Sequence, residues 1–221
     1  MSEIDWAAER AHMLQVQIRR RGITDPRVLD AMARVPRERF VPAALRSHAY
    51  GDHALRVSHG QTISQPFIVA AMTQAAGIGE GDTVLEIGTG SGYQAAILAH
   101  LARHVYTIER IYELSEGARP LLRDLALDNV SFRVGDGSVG WPEAAPFAAI
   151  VVTAGAPEPP PSLLKQLDPG GGRLVVPIGE HEHQELVCVE RQGTSYVTEQ
   201  LLACRFVPLV GAEGWNGEES P

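Results

Sequence analysis

The sequence has little cysteine, few aromatic residues and no long apolar run, and each shortage excludes a class of protein. Its two cysteines, Cys188 and Cys204, lie in strand-like segments, which favours free thiols in a reducing compartment over a disulfide framework. No apolar run approaches the roughly 20 residues that a membrane-spanning helix needs. The first ten residues, MSEIDWAAER, carry acidic side chains where a signal peptide carries basic ones. We therefore expect a cytoplasmic protein without membrane contact.

The charge of the chain is negative, with 27 acidic against 19 basic residues and a net charge of -8. A negative field disfavours nucleic acid as a main partner, because phosphate binding depends on clustered Lys and Arg. Aromatic residues make up 6% and charged residues 21% of the sequence, which indicates neither disorder nor a coiled coil. A chain of 221 residues can bury one α/β core. We expect a single domain, residues 1–221, that acts as a monomer.

One stretch, Thr83 to Tyr93 (TVLEIGTGSGY), indicates where a ligand binds. Its β-branched and apolar start is typical of a buried strand, and Gly88, Gly90 and Gly92 separate that strand from the helix-forming QAAILAHLA. Glycine has no Cβ and tolerates positive φ, so this loop lets the backbone pass close to a ligand at the helix N-terminus. A plain strand-to-helix turn is the alternative for the loop taken alone.

The spacing of the loop distinguishes two cofactors. A dinucleotide-binding fingerprint, G-x-G-x-x-G, needs a third glycine at position 93, where this chain has Tyr93. Glu86 instead precedes Gly88 by two residues, and the resulting E-x-G-x-G-x-G resembles motif I of the Rossmann-like S-adenosylmethionine-dependent methyltransferases. A carboxylate suits that zwitterionic sulfonium ligand and would repel a pyrophosphate. We expect S-adenosylmethionine as the cofactor and S-adenosylhomocysteine as its product.

Acidic residues also follow the next two predicted strands. Glu109 ends the strand from His104 to Ile108, at the position where a Rossmann-like fold binds ribose hydroxyls. Asp136 and Gly137 follow the strand from Val130 to Val134. Because ligands collect beyond the carboxyl ends of strands in open α/β sheets, we expect these residues at the same site.

Residues 1–60 are predicted to form a helical preface to the sheet. Apolar residues at helical spacing predict a first helix that ends at Gly22, and Asp25 is placed to cap a second helix that Pro26 opens. The next segment, VPRERFVP at residues 35–42, is bracketed by prolines and predicts an ordered connector.

Several polar residues in irregular segments match no specific site pattern. We expect Arg37 and Arg39 of the connector to be solvated rather than bound to an anion. The histidines fit no metal-ligand spacing, and we predict no metal site; they are His48, His53 and His59 in one segment and His181 and His183 in another.

The hexapeptide QTISQP, residues 61–66, precedes a predicted helix that Pro66 opens. Ser64 or Gln65 is in the position of a helix cap. By local pattern alone, Ser64 therefore needs no role beyond capping.

The predicted secondary structure changes near residue 180, from alternating strands and helices to strands alone. Residues 61–180 alternate strand and helix patterns and predict a Rossmann-like α/β sheet with helices on both faces. Three later segments are predicted to be antiparallel strands: Gln184 to Glu190, Tyr196 to Leu201 and Arg205 to Leu209. Residues 211–221 form a tail.

Nine segments in order make the chain similar to the protein-L-isoaspartate (D-aspartate) O-methyltransferase family: VPRERFVP, HAYGD, GQTISQPFIVAAMTQ, VLEIGTGSGYQAAILA, VYTIER, LDNV, VGDG, LLKQLDPGGGRLVVPIG and RFVPL. The resemblance runs from about Val35 to Val210, and QTISQP is its distinctive element. It implies methyl transfer from S-adenosylmethionine to the free α-carboxylate of L-isoaspartyl residues in damaged proteins and peptides, which starts their repair.

The resemblance also implies roles for individual residues. Ser64 corresponds to the active-site serine, with Thr62 and Ile63 lining the cleft beside it. The remaining positions correspond to cofactor contacts: Glu86, Gly88 and Gly90 for the methionine part, Glu109 and Arg110 for ribose and adenine, and Asp136 and Gly137 for adenine.

The sequence departs from the family pattern at two places. Ala148 stands where relatives commonly have Asp in F-D-x-I, and we expect a modest structural change there. The tail VGAEGWNGEESP follows no family pattern that we can align, so its contacts are left open.

Two other kinds of function are kept as alternatives. The chain could methylate another acceptor, such as a small-molecule carboxylate or a tRNA base. It could also be a nonenzymatic S-adenosylmethionine-binding module, or a nucleotide-binding domain that serves as an interaction scaffold.

Overall fold

The computed structural model describes residues 4–216, and the last five residues of the predicted tail lie outside this range. The α-helices are α1 (Trp6–His12), α2 (Pro26–Arg34), α3 (Pro66–Ala76), α4 (Tyr93–Ala99), α5 (Tyr112–Asp124) and α6 (Pro161–Lys165). The strands are β1 (Leu55–Arg56), β2 (Thr62–Ile63), β3 (Thr83–Ile87), β4 (His104–Glu109), β5 (Val130–Val134), β6 (Ala149–Val152), β7 (Gly170–Gly179), β8 (Gln184–Gln192) and β9 (Ser195–Cys204).

Seven strands form the central sheet, in the order β5-β4-β3-β6-β7-β8-β9. The first five run parallel, β8 is added antiparallel to β7, and β9 is added antiparallel to β8. The chain builds outward from β3 through β4 to β5 and then returns to place β6 on the other side of β3. In open α/β sheets such a reversal of strand order creates a crevice at the carboxyl ends of the strands.

Both faces of the sheet are covered, because alternate side chains of each strand enter different apolar clusters. Val84 and Val105 pack with α3, α4 and the helical preface on one face. Leu85 and Ile108 pack on the other face, which Leu163 of α6 helps to cover. The predicted Rossmann-like α/β fold with helices on both faces is confirmed.

The start of the preface follows the predicted local chemistry. The first helix continues through a π-helical segment and a 3₁₀ turn and ends at Gly22, whose φ of +94° suits glycine. Asp25 caps α2, because its carboxylate accepts a hydrogen bond from the Arg27 N–H at 2.8 Å.

Two expectations for the preface and its junction with the sheet are wrong. Arg37 is fully buried, whereas Arg39 is partly exposed as expected and pairs with Asp124. Gln65 occupies the N-cap position of α3, but neither it nor Ser64 makes a side-chain capping bond. The Gln65 amide donates to Asp52 instead, since that acceptor is brought near by the preface.

The segment Arg205 to Leu209 is not a strand, contrary to the prediction. It makes an isolated bridge to Gly155 at Pro208. The Val207 carbonyl and the Leu209 N–H bond to Gly155, and Pro208 has no N–H to offer to a strand on its other side. The segment therefore crosses the sheet end beside the crevice.

Cys188 and Cys204 are free thiols, as predicted. Within residues 4–216, no helix combines the length and the apolar character that crossing a bilayer requires.

Candidate active site

A cleft of about 420 Å³ opens at the carboxyl ends of the parallel strands. This volume lies within the range of roughly 300 to 1,000 Å³ that is usual for small-molecule sites. Predicted residues that line the cleft are Thr62, Gly88, Gly90, Glu109, Arg110 and Gly137. The crevice predicted from strand order therefore gathers residues from four separate segments of the sequence.

The glycine loop between β3 and α4 is built as predicted. Gly88, Gly90 and Gly92 have φ values of +94°, +52° and +86°, which side-chain-bearing residues rarely adopt. A Cβ on Gly88 would lie 2.3 Å from the Thr153 hydroxyl oxygen, which donates to the loop carbonyls. A Cβ on Gly90 would meet no atom within 4 Å, so the backbone there faces open space in the cleft.

Glu109, at the end of β4, ties two parts of the cleft together. Its carboxylate accepts hydrogen bonds from the Gly90 N–H at 2.9 Å and from the Ile111 N–H at 3.0 Å. The residue is only 6% exposed, but it lines the cleft. Arg110 beside it is exposed on the cleft wall.

Glu86 lies beneath the glycine loop rather than on the cleft wall, and it is 0% exposed. Its Oε2 accepts a hydrogen bond from the Thr107 hydroxyl, which also contacts Thr89 of the loop, but its Oε1 has no hydrogen-bond partner in the described part of the chain. Burial, only partly offset by the Thr107 bond, raises the pKa of Glu86 to about 8. Glu86 therefore lies behind the loop, with one carboxyl oxygen left as an unused acceptor.

Asp136 does not line the cleft, although the adjacent Gly137 does. One carboxylate oxygen accepts bonds from the Ser138 N–H and hydroxyl, and the other accepts from the Ala212 N–H at 2.7 Å. Partial burial opposes ionisation, but these bonds lower the pKa of Asp136. Asp136 therefore anchors the start of the C-terminal tail, a contact that the sequence did not reveal.

Ser64 and Ile63 line a smaller recess that adjoins the cleft. The two cavities share the walls formed by Thr62, Gly88, Gly90 and Thr153. The recess has a volume of about 40 Å³, which leaves room for one small group rather than a second cofactor. The structure therefore brings the QTISQP segment against the glycine loop, about twenty-five residues later in sequence.

Sequence reasoning missed two segments of the cleft wall. One is the tip of the β1–β2 hairpin, residues 59–61, and the other is residues 207–210 after β9. The RFVPL motif pointed to the second segment, but no local pattern placed it beside the cleft. Ala148 lies just before β6, whereas the cleft lies beyond the opposite end of that strand, at Thr153.

The fold, the acidic glycine loop and the acidic end of β4 define a Rossmann-like S-adenosylmethionine-dependent methyltransferase. The cleft has room for this cofactor, because Gly90 opens onto free space and the acidic Glu109 lies on the cleft wall. The sequence profile of the protein-L-isoaspartate(D-aspartate) O-methyltransferase (PCMT) family matches residues 8–214. The chain belongs to that family.

Individual relatives agree with this assignment. A protein-L-isoaspartate O-methyltransferase of Magnetococcus marinus is 53% identical over 94% of this chain and 90% of the relative. One of Protochlamydia amoebophila is 55% identical over 94% of this chain and its whole length. A solved protein-L-isoaspartate O-methyltransferase is 30% identical with a TM-score of 0.83, covering 93% of this chain and 67% of its own.

A second solved structure, from Plasmodium falciparum, supports the fold. It has a TM-score of 0.78 at 24% identity and covers 94% of this chain and 99% of its own. That protein was crystallised in complex with S-adenosyl-L-homocysteine.

Proposed function

We propose that this chain transfers a methyl group from S-adenosylmethionine to the free α-carboxylate of L-isoaspartyl residues, and that Ser64 binds this acceptor carboxylate. Membership of the family supports the donor and the acceptor class. The observation that carries the role of Ser64 is the shared wall between its recess and the larger cleft. A group held at Ser64 would lie next to a cofactor held by the glycine loop.

The acceptor needs no general base. A peptide α-carboxyl has an ordinary pKa of roughly 3.5, so it is ionised at neutral pH. None of the described residues that line the recess is Asp, Glu, His or Lys. The lining therefore suits a nucleophile that arrives already charged, and it contains no carboxylate to repel that charge.

The chain's own residues have two tasks in this reaction. When bound, S-adenosylmethionine supplies the methyl group, and the acceptor oxygen receives it as an ester. Ser64 donates a hydrogen bond that orients the acceptor carboxylate, an interaction of about 1 to 3 kcal/mol because one partner is charged. The narrow recess keeps water away from the reacting atoms and limits the directions of approach.

The cofactor contacts remain proposals for individual residues. We assign the methionine part to Glu86, Gly88 and Gly90, and the ribose and adenine to Glu109 and Arg110, as the resemblance implies. Gly137 lines the cleft and suits a flat adenine wall. Asp136 lies behind that wall, where its carboxylate accepts a hydrogen bond from the Ser138 hydroxyl. We assign it to the adenine site as the resemblance implies.

Replacing the hydroxyl of Ser64 tests the proposal directly. Ser64→Ala should lower kcat/KM for an isoaspartyl peptide by roughly 10- to 100-fold, the loss of a charge-assisted hydrogen bond, and leave the S-adenosylmethionine Kd within about twofold. Ser47→Ala, on an exposed turn of the preface, is the matched control and should change neither value. Equal losses in methylation and cofactor binding would instead place Ser64 in the cofactor site or in folding.

The acceptor class has its own test. Isoaspartyl and normal aspartyl versions of one peptide, assayed beside calorimetric titration with the cofactor, separate the three candidate functions. Cofactor binding without methylation of either peptide would indicate a nonenzymatic module, and turnover of the aspartyl peptide would indicate another acceptor. The net charge of -8 supports a protein or peptide acceptor over tRNA.

We further propose that the peptide binds in an extended form through its backbone, since isoaspartyl sites occur in many sequences. Comparable turnover on unrelated isoaspartyl peptides would support this idea, and strict dependence on flanking side chains would contradict it. The cytoplasmic location, the monomeric state and the absence of a metal remain predictions.

A further inference from the structure

A fully buried guanidinium lies directly beneath the segment that carries Ser64. Arg37 opens the 3₁₀ turn Arg37–Phe40 and is 0% exposed. Its Nε donates to the Ala49 carbonyl at 2.7 Å, and one terminal nitrogen donates to the Ser64 carbonyl at 2.7 Å. The planar fork of arginine therefore connects the preface to the peptide unit of Ser64.

Arg37 also contacts the cofactor side of the site. Its guanidinium lies over the ring of Tyr93, 4.7 Å from the centroid, and Tyr93 is the first residue of α4, directly after the glycine loop. One side chain thus contacts both the Ser64 segment and the helix that follows the cofactor loop. Its other terminal nitrogen has no hydrogen-bond partner among the residues that the structure describes.

The charge of Arg37 is costly, and its hydrogen-bond partner in the preface is a neutral group, the Ala49 carbonyl. None of the ion pairs found among residues 4–216 includes Arg37. A buried charge without an opposite partner costs several kcal/mol, and a neutral apolar side chain of similar size would fill the same space with less penalty. A second tie already holds the segment at the surface. The Gln65 amide donates to the Asp52 carboxylate, which also accepts a hydrogen bond from Arg21.

We propose that Arg37 is a positioning residue for the acceptor site, which fixes the Ser64 peptide so that its hydroxyl meets the acceptor carboxylate. The inference rests on the role proposed above for Ser64. Lysine at this position keeps the charge but has no rigid fork, so it cannot hold the Ala49 and Ser64 carbonyls in the same geometry.

A double-mutant cycle tests the inference with four proteins: the wild type, Arg37→Lys, Ser64→Ala and the double variant. Arg37→Lys should lower kcat/KM for an isoaspartyl peptide about 10-fold and leave the cofactor Kd within about twofold. If Arg37 acts through the Ser64 hydroxyl, the double variant should be no worse than Ser64→Ala alone. Arg39→Lys, an exposed arginine on the same turn, is the control and should behave as the wild type.

A structural readout accompanies the kinetics. Hydrogen exchange in residues 61–67 should be faster in Arg37→Lys than in the wild type, with no change in residues 83–91.

Each other outcome contradicts a distinct claim. The same 10-fold loss in both backgrounds would show that Arg37 acts independently of Ser64. Loss of cofactor binding, or of cooperative unfolding, would show that Arg37 supports the whole fold. Wild-type activity of Ser64→Ala would overturn the role of Ser64 itself, whatever Arg37→Lys does.

Discussion

The proposed cofactor half and the proposed acceptor half of the site each rest on one buried ionisable side chain, an acid in the first and a base in the second. Glu86 lies under the glycine loop, and Arg37 lies under the Ser64 segment. Each leaves one polar atom without a hydrogen-bond partner among residues 4–216. Neither side chain lines the cleft or the recess, so each lies behind the wall that would meet the ligand.

The two charges differ in how they can respond to burial. Burial raises the pKa of Glu86 to about 8, so this carboxyl can take up a proton and become neutral near physiological pH. Burial also lowers the pKa of Arg37, but a guanidinium stays protonated at any pH a protein experiences. Glu86 can therefore avoid the cost of a buried charge by taking up a proton while no cofactor is bound. Arg37 keeps its charge and the cost of burying it.

The largest expected effect is a pH dependence of folding stability that comes from Glu86. Between the ordinary Glu pKa near 4.5 and the folded value of about 8, the folded state binds a proton that the unfolded state releases. Stability should therefore fall as pH rises through this window, by on the order of 1 kcal/mol per pH unit from Glu86 alone. Urea unfolding of the cofactor-free protein at several pH values measures it.

Glu86→Gln removes the titrating group while keeping its shape. The difference in unfolding free energy between wild type and variant should follow the slope given above, and the exposed control Glu158→Gln should track the wild type. Parallel curves for wild type and Glu86→Gln would show that Glu86 does not take up the proton.

The next largest effect concerns the backbone of the loop. Gly88→Ala should lower the free energy of unfolding by about 3 kcal/mol, because a left-handed non-glycine residue costs about 1 to 2 kcal/mol and overpacking adds about 1 to 3. The new Cβ would meet the Thr153 hydroxyl and break its bonds to the loop. Gly81→Ala, where a Cβ meets nothing within 4 Å, is the control for urea unfolding and cofactor titration. If Gly88→Ala unfolds with the same free energy as the wild type, the Thr153 side chain can move away from the new Cβ without loss of stability.

The two halves also differ in how far the sequence predicted them. The cofactor half follows from local chemistry: glycines at positive φ, a strand that ends at Glu109, and a helix that begins straight after the loop. These features depend on neighbours within a few residues, so spacing alone predicts them. Likewise Gly22 and Asp25 took their predicted places.

The acceptor half depends on contacts that span long stretches of sequence. Arg37 and Ser64 are 27 residues apart, and the bond from Gln65 to Asp52 spans 13 residues. Arginine is usually exposed, so the expectation of a solvated connector failed where the preface folded over the Ser64 segment. The resemblance predicted the importance of Ser64, but the support beneath it appears only when the preface is packed in place.

A smaller effect should separate the two halves functionally. Glu109→Ala leaves the Gly90 and Ile111 N–H groups without their acceptor and removes the proposed ribose contact. The S-adenosylmethionine Kd should rise about 10- to 100-fold, the loss of charge-assisted bonds worth about 2 kcal/mol. At saturating cofactor the KM for the isoaspartyl peptide should stay within about twofold. If the cofactor Kd is unmoved, the ribose site lies elsewhere.

The smallest expected effect concerns the surface hydrogen bond that holds the Ser64 segment. Gln65→Ala removes the surface tie to Asp52, whose carboxylate oxygen lies 2.7 Å from the Gln65 amide nitrogen. Surface hydrogen bonds of this kind contribute about 0.5 to 1 kcal/mol, so the KM for the peptide should rise roughly two- to fivefold, with no change in cofactor Kd. Gln192→Ala, which loses a surface bond to Glu190 at the far end of β8, is the control and should leave the KM unchanged. The Ser64 segment has two ties, and the loss of peptide methylation in each variant shows which tie matters more. A larger loss for Gln65→Ala than for Arg37→Lys would make the surface tie the main support of Ser64. The buried guanidinium of Arg37 would then need another explanation.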